Sequence, residues 1–116
     1  IKILGKPIAD SGEATGLGYK CSGSDYVNDI YSCSWGPPDD GRRLDGPGSL
    51  AAATIENCAR TGRNGKGSIY VWACGNGRAK GDNINYDGYA NMRETIPIGS
   101  LGYDDEIAYY SEPGTP

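Results

Sequence analysis

"SIYVWACGNG", residues 68–77, runs from an apolar segment into a pair of glycines around an asparagine. From Ser68 to Cys74 the side chains are β-branched, aromatic or small and almost continuously apolar, the pattern of a strand covered on both faces. Gly75, Asn76 and Gly77 then break the run into a tight turn. Upstream, Asp45–Arg60 carries Leu50, Ala53, Thr54, Ile55 and Cys58 at helical spacing, with Asp45 ahead of Gly46 and Pro47 as its expected cap and Gly62 as its stop. Before that helix, Val27–Trp35 (VNDIYSCSW) reads as a central strand ending at the rigid turn Gly36-Pro37-Pro38. Strand, helix, strand in this order predicts a right-handed crossover in a mainly parallel sheet with helices on its faces, an α/β fold.

The remaining segments fit that frame. Thr95–Leu101 (TIPIGSL) reads as a further strand and Ile1–Leu4 as an N-terminal one. Glu13–Gly18 reads as a short helical or turn segment, and Lys20–Asp25 as a polar loop. In parallel sheets ligands sit at the carboxyl ends of the strands. Trp35-Gly36-Pro37 and Cys74-Gly75-Asn76-Gly77 both fall there, so the two turns are expected to line one crevice.

Composition narrows the function. A chain of 116 residues suits one domain and is too short for two. Its 11 basic and 15 acidic residues give a net charge of -4, which speaks against nucleic acid and for a cationic ligand or a metal. The opening IKILGKPI has no charged leader and long apolar core, and no apolar run reaches membrane-spanning length. The chain starts in what reads as mid-strand and stops on SEPGTP in mid-loop, so it is expected to be a piece of something larger. Four cysteines allow three full pairings, and their spacing matches no zinc pattern. Cys33 and Cys74, inside strand-like runs, are expected to be buried free thiols.

Three motif-like stretches fail on chemistry. GNGRAKG has its third glycine one place late for a dinucleotide fingerprint, and Gly65-Lys66 lacks the following Ser or Thr of a phosphate loop. Asn83, Asn85, Asp87, Gly88 and Glu94 fall at positions of a calcium-loop pattern, but a strand and a glycine loop precede them where a helix is required. The chain contains no histidine, so neither a Ser-His-Asp triad nor a Cys-His pair can be completed within it. What remains is SCSWGPPDDG (residues 32–41), where two aspartates follow a rigid turn and offer negative charge to a metal or a cationic substrate.

These blocks carry a resemblance. VNDIYSCSWGPPDDGRRLDGP, then GSIYVWACGNGRAKGDNINYDGYANM and YYSEPG, resemble the catalytic domain of the kexin and furin group of subtilisin-like proprotein convertases, nearest the fungal kexins, over essentially the whole chain. The resemblance implies a three-layer αβα subtilisin-like fold of which residues 1–116 are the central part. It implies a calcium-dependent serine endopeptidase that cleaves proteins or peptides after paired basic residues, in the secretory pathway, on late Golgi membranes or at the cell surface. The triad Asp, His and Ser would lie outside the chain, leaving it inactive alone. Its partners would be the rest of the catalytic domain and a downstream stabilising domain.

Residue by residue, Asn76 matches the family's oxyanion-hole asparagine, whose amide is a suitable donor to a developing alkoxide. Asp39 and Asp87 match acids that receive a substrate arginine, and Ser34, Trp35, Gly36 and Pro37 match the segment that pairs with the substrate backbone. Glu13, Asp45 and Tyr89 match an outer subsite for a further basic or aromatic side chain. Asp39, Asp82 and Glu112 match a calcium site behind the arginine pocket. Asp40 is expected simply to face water. Cys74 stands where many relatives have serine, and Ile84 and Gly114 where furin-like relatives pair two cysteines. The rival reading is a non-catalytic calcium-binding or interaction module.

Overall fold

The computed structural model describes residues 8–116, and the strand expected over Ile1–Leu4 lies outside them. Helix α1 (Asp10–Leu17) is followed by strand β1 (Ile30–Cys33), helix α2 (Ser49–Gly65), strand β2 (Ile69–Ala73) and strand β3 (Thr95–Ile98), with two short 3-10 turns at Arg78–Lys80 and Ile84–Tyr86. The strands form a parallel three-stranded sheet in the order β1-β2-β3, the α/β arrangement expected from the sequence. The chain divides into two compact units: the described residues to Tyr31 with Pro47–Tyr70, and Ser32–Gly46 with Val71–Pro116.

In the first unit α1 packs on α2 around Leu17, Ala51, Ile55 and Cys58. Tyr70 is fully buried, stacks on Tyr31 at 4.8 Å and donates its hydroxyl to the Leu17 carbonyl at 2.6 Å. Cys21 and Cys58 form a disulfide across a sequence separation of 37 residues. Helix α2 starts later than the sequence pattern predicts, at Ser49, and Asp45 does not cap it. The cap comes from Asp10, whose two carboxylate oxygens accept the Leu50 and Ala51 N–H groups at 2.9 and 2.8 Å. A carboxylate there also meets the positive end of the helix dipole. Gly62 does end the regular helix: its ψ of 166° is extended, and Arg63 and Asn64 follow in the left-handed region.

Strand β1 is shorter than Val27–Trp35 because its leading residues serve the preceding loop. Val27 N–H bonds to the Lys20 carbonyl, and the Asn28 amide to the Tyr19 carbonyl. Strand β2 alternates instead of being covered on both faces: Tyr70 and Trp72 are buried, Ile69 and Val71 half-buried, Ala73 exposed. Strand β3 stops at Ile98, after which Leu101 makes an antiparallel bridge to Ile107.

The second unit is built on aromatic packing. Trp35, Trp72 and Tyr89 form a mutual cluster with ring centroids 4.7 to 5.0 Å apart, Trp35 edge-on to both partners and Trp72 stacked on Tyr89. The indole N–H of Trp72 donates to the Trp35 carbonyl at 2.6 Å, which satisfies the one polar atom of a buried ring. Cys33 and Cys74 are buried free thiols, as expected.

Candidate functional site

The exits of β1 and β2 in the second unit meet, as the positions of the two glycine-rich turns predict. Past Trp35 the chain is rigidified by two prolines and delivers Asp39, whose Oδ2 accepts the backbone N–H of Asn76 at 2.9 Å and lies 3.4 Å from the Asn76 amide nitrogen. Asn76 itself is exposed. Its turn requires Gly75, whose φ is +99° and where a Cβ would run into the Glu112 carboxylate. A Cβ at Gly77 would likewise fall 2.6 Å from Asp82 and 3.1 Å from Asp39. The glycines of this turn leave the room that three acids occupy.

Those acids are Asp39, Asp82 and Glu112, each offering an oxygen within 4.8 Å of the others. Backbone donors aim them: Gly41 N–H to Asp82 Oδ2 at 3.0 Å, Asn83 N–H to Asp82 Oδ1 at 2.9 Å, and Gly77 N–H to Glu112 Oε1 at 2.9 Å. Asp82 is buried, and Asp39 and Glu112 are half-buried. Burial pushes the Glu112 carboxyl up to about 7, against the pull of the Gly77 N–H and with added repulsion from Asp82, Asp39 and Asp87. Lys80 reaches the area but donates to the backbone carbonyl of Asp39 at 3.0 Å, not to a carboxylate. Like charges gathered this closely leave a place for a cation of hard character, and three carboxylates with water to complete the shell fit calcium.

Asp87 is the fourth acid. Its Oδ1 accepts the N–H groups of Tyr89 at 2.8 Å and Ala90 at 3.2 Å, which fixes the carboxylate, while Oδ2 lies where a Cβ on Gly36 would come within 2.7 Å. Burial raises its pKa above the usual carboxylate value, the two backbone N–H groups oppose that, and Asp39 and Asp82 add repulsion. A fixed, partly desolvated carboxylate beside a glycine is suited to a bidentate cation such as a guanidinium.

The other expected site residues fall as follows. Ser34 and Gly36 are exposed and Trp35 and Pro37 half-buried on the strand exit beside Asp87 and Asp39. Asp45 forms a backbone bridge with Asp87, its carbonyl accepting the Gly88 N–H at 2.8 Å. Tyr89 is buried in the aromatic cluster, and Glu13 belongs to α1 in the first unit. Asp40 does not merely face water: it accepts the Arg42 N–H at 2.9 Å, an Asx turn, and pairs with Arg43 at 3.4 Å. In the calcium-loop pattern from Asn83 to Glu94, Asn83 Oδ1 accepts the Asn85 N–H at 3.0 Å and Glu94 pairs with Arg93 at 3.6 Å, while the acids that converge are Asp39, Asp82 and Glu112. Sequence reasoning missed the Gly41 and Gly77 N–H groups as supports of the acids, since backbone donors leave no side-chain signal. Ile84 and Gly114, where the resemblance places a cysteine pair in relatives, are neighbours here: a Cβ on Gly114 would overlap the Ile84 side chain.

Fold and site together define a class, and comparison with known proteins states it: residues 9–115 match the subtilase family, to which the chain belongs. Over 112 residues, 97% of the chain, it is 50% identical to a kexin of Saccharomyces cerevisiae and 46% identical to a dibasic-processing endoprotease of Yarrowia lipolytica. It is 45% identical over the same share to a proprotein convertase subtilisin/kexin type 7 of Mus musculus. The chain spans only 13%, 11% and 14% of the length of these relatives.

Proposed function

We propose that residues 1–116 are the central part of the catalytic domain of a calcium-dependent serine endopeptidase that cleaves proteins and peptides after paired basic residues. The observation that carries this reading is the meeting of Asp39 with the Asn76 turn, beside Asp82, Glu112 and Asp87. In it, Asp39 and Asp87 receive the guanidinium of the substrate arginine. Each charge-assisted hydrogen bond so formed contributes about 1.5 to 3 kcal/mol. Ser34, Trp35, Gly36 and Pro37 hold the substrate backbone as an added strand, and Asn76 donates its amide to the alkoxide that develops at the scissile carbonyl. Asp45, bridged to Asp87, serves an outer subsite.

Asp39, Asp82 and Glu112 would hold calcium, which supplies positive charge that offsets their mutual repulsion and so fixes the pocket from behind. Nucleophile and base come from outside these residues, since no histidine is present, and the chain is inactive alone. The Cys21–Cys58 disulfide supports an oxidising compartment, consistent with the secretory pathway or cell surface. The names of the relatives, kexin and dibasic-processing endoprotease, support the choice of substrate. The test is hydrolysis of Lys-Arg and Arg-Arg peptides by the full-length polypeptide with calcium and with excess chelator. Cleavage after the second basic residue that chelation abolishes is expected. A full-length polypeptide that cleaves no such peptide contradicts the reading.

A further inference from the structure

Arg42 and Arg43 are the chain's own paired basic residues, and no other two Lys or Arg residues are adjacent anywhere in the sequence. They stand in the segment between β1 and α2, outside any helix or strand, and Arg42, Arg43 and Leu44 are all exposed, Leu44 by 81%. The segment is tied on either side of them. Gly41 N–H is held by Asp82, and Asp45 exchanges backbone hydrogen bonds with Tyr86 and Gly88. Between those ties, the N–H groups of Arg43 and Leu44 donate to nothing among the described residues. A peptide that docks as an added strand needs such unspent backbone donors. Among the described residues two side-chain contacts restrain the segment between the ties, both from Asp40: its Oδ1 accepts the Arg42 N–H at 2.9 Å, and its Oδ2 pairs with the exposed Arg43 at 3.4 Å, a weak contact in water.

We infer that the Arg43–Leu44 peptide bond is a self-processing site, cut by a second copy of the enzyme. The inference rests on the dibasic reading above. The step is hydrolysis: the C–N bond between Arg43 and Leu44 breaks, the oxygen of water joins the Arg43 carbonyl carbon to leave a carboxylate, and the Leu44 nitrogen departs as an amine. Cleavage within one copy is excluded by connectivity. Arg43 would have to enter a pocket that contains Asp39, only four residues behind it on the same strand exit. A cut here would separate the pocket acid Asp39 from Asp45 and α2 in the covalent chain.

The experiment follows purified full-length enzyme over time by intact mass and N-terminal sequencing. Expected is a new N-terminus Leu44-Asp45-Gly46-Pro47, an initial rate of nicking that rises with the square of enzyme concentration, and loss of the nick in Arg43→Gln. That variant retains turnover of a short Arg-Arg peptide, because Arg43 lies outside the site. In Arg42→Gln the nick is slowed by about tenfold or more. An enzyme that turns over the short peptide yet keeps Arg43–Leu44 intact overturns this inference alone, as does a nick that persists in Arg43→Gln. An enzyme that cleaves no Arg-Arg peptide overturns it together with the dibasic reading.

Discussion

Asp39 and Asp40 are adjacent acids with separate fates. Asp39 turns to the Asn76 N–H and the acid cluster, while Asp40 closes an Asx turn and pairs with Arg43. The resemblance identified Asp39 from its motif, but nothing in the sequence announces that the Asn76 backbone would hold it. That contact yields a prediction. Because the main-chain N–H does the holding, Asn76→Ala leaves Asp39 in place, and the full-length enzyme should keep its arginine preference while kcat falls. Loss of such a donor in subtilisin, itself a subtilase, costs about 10² to 10³ in kcat, and a similar fall is expected here. Cys33 gives a second. Burial pushes its thiol up to about 11, so at pH 8 roughly one molecule in a thousand carries the reactive thiolate. Alkylation at pH 8 followed by mass spectrometry should leave Cys33 unmodified in the folded enzyme and modify it after denaturation.

Strand β2 and helix α2 were legible because they satisfy local rules: a run of β-branched and aromatic side chains, and apolar residues at helical spacing with a glycine stop. What the sequence concealed is contact between distant residues. Asp45-Gly46-Pro47 looks like a helix start, yet Asp45 is drawn into a bridge with Asp87 and the capping carboxylate arrives from Asp10, 40 residues before Leu50. With Cys33 and Cys74 read as free thiols the sequence left Cys21 and Cys58 over without showing that they meet, and the tertiary placement of the loop after α1 beside α2 pairs them. Closing a loop of 37 residues limits the unfolded chain, so replacing both cysteines by serine should destabilise the full-length enzyme by roughly 4 kcal/mol. Chemical denaturation under non-reducing conditions measures it. An unchanged midpoint would mean that the bridge does not form in the native enzyme.

For the whole molecule, net negative charge pointed to a cationic ligand or a metal and the motif blocks to a basic substrate, and the second unit brings four acids, Asp39, Asp82, Asp87 and Glu112, to the two strand exits. In this subtilase chain the carriers of those acids are two strand exits and the turns after them, and under the proposed function residues outside the chain complete the chemistry. Asp87 carries the proposed specificity most directly, since hydrogen bonds from the Tyr89 and Ala90 N–H groups fix its carboxylate. The decisive measurement compares kcat/KM for peptides with arginine or its neutral isostere citrulline before the scissile bond, in the native full-length enzyme and in Asp87→Asn. Asp87→Asn is expected to lose about tenfold to a hundredfold on the arginine peptide and little on the citrulline peptide. A variant that preserves the native ratio of arginine to citrulline cleavage would contradict the account.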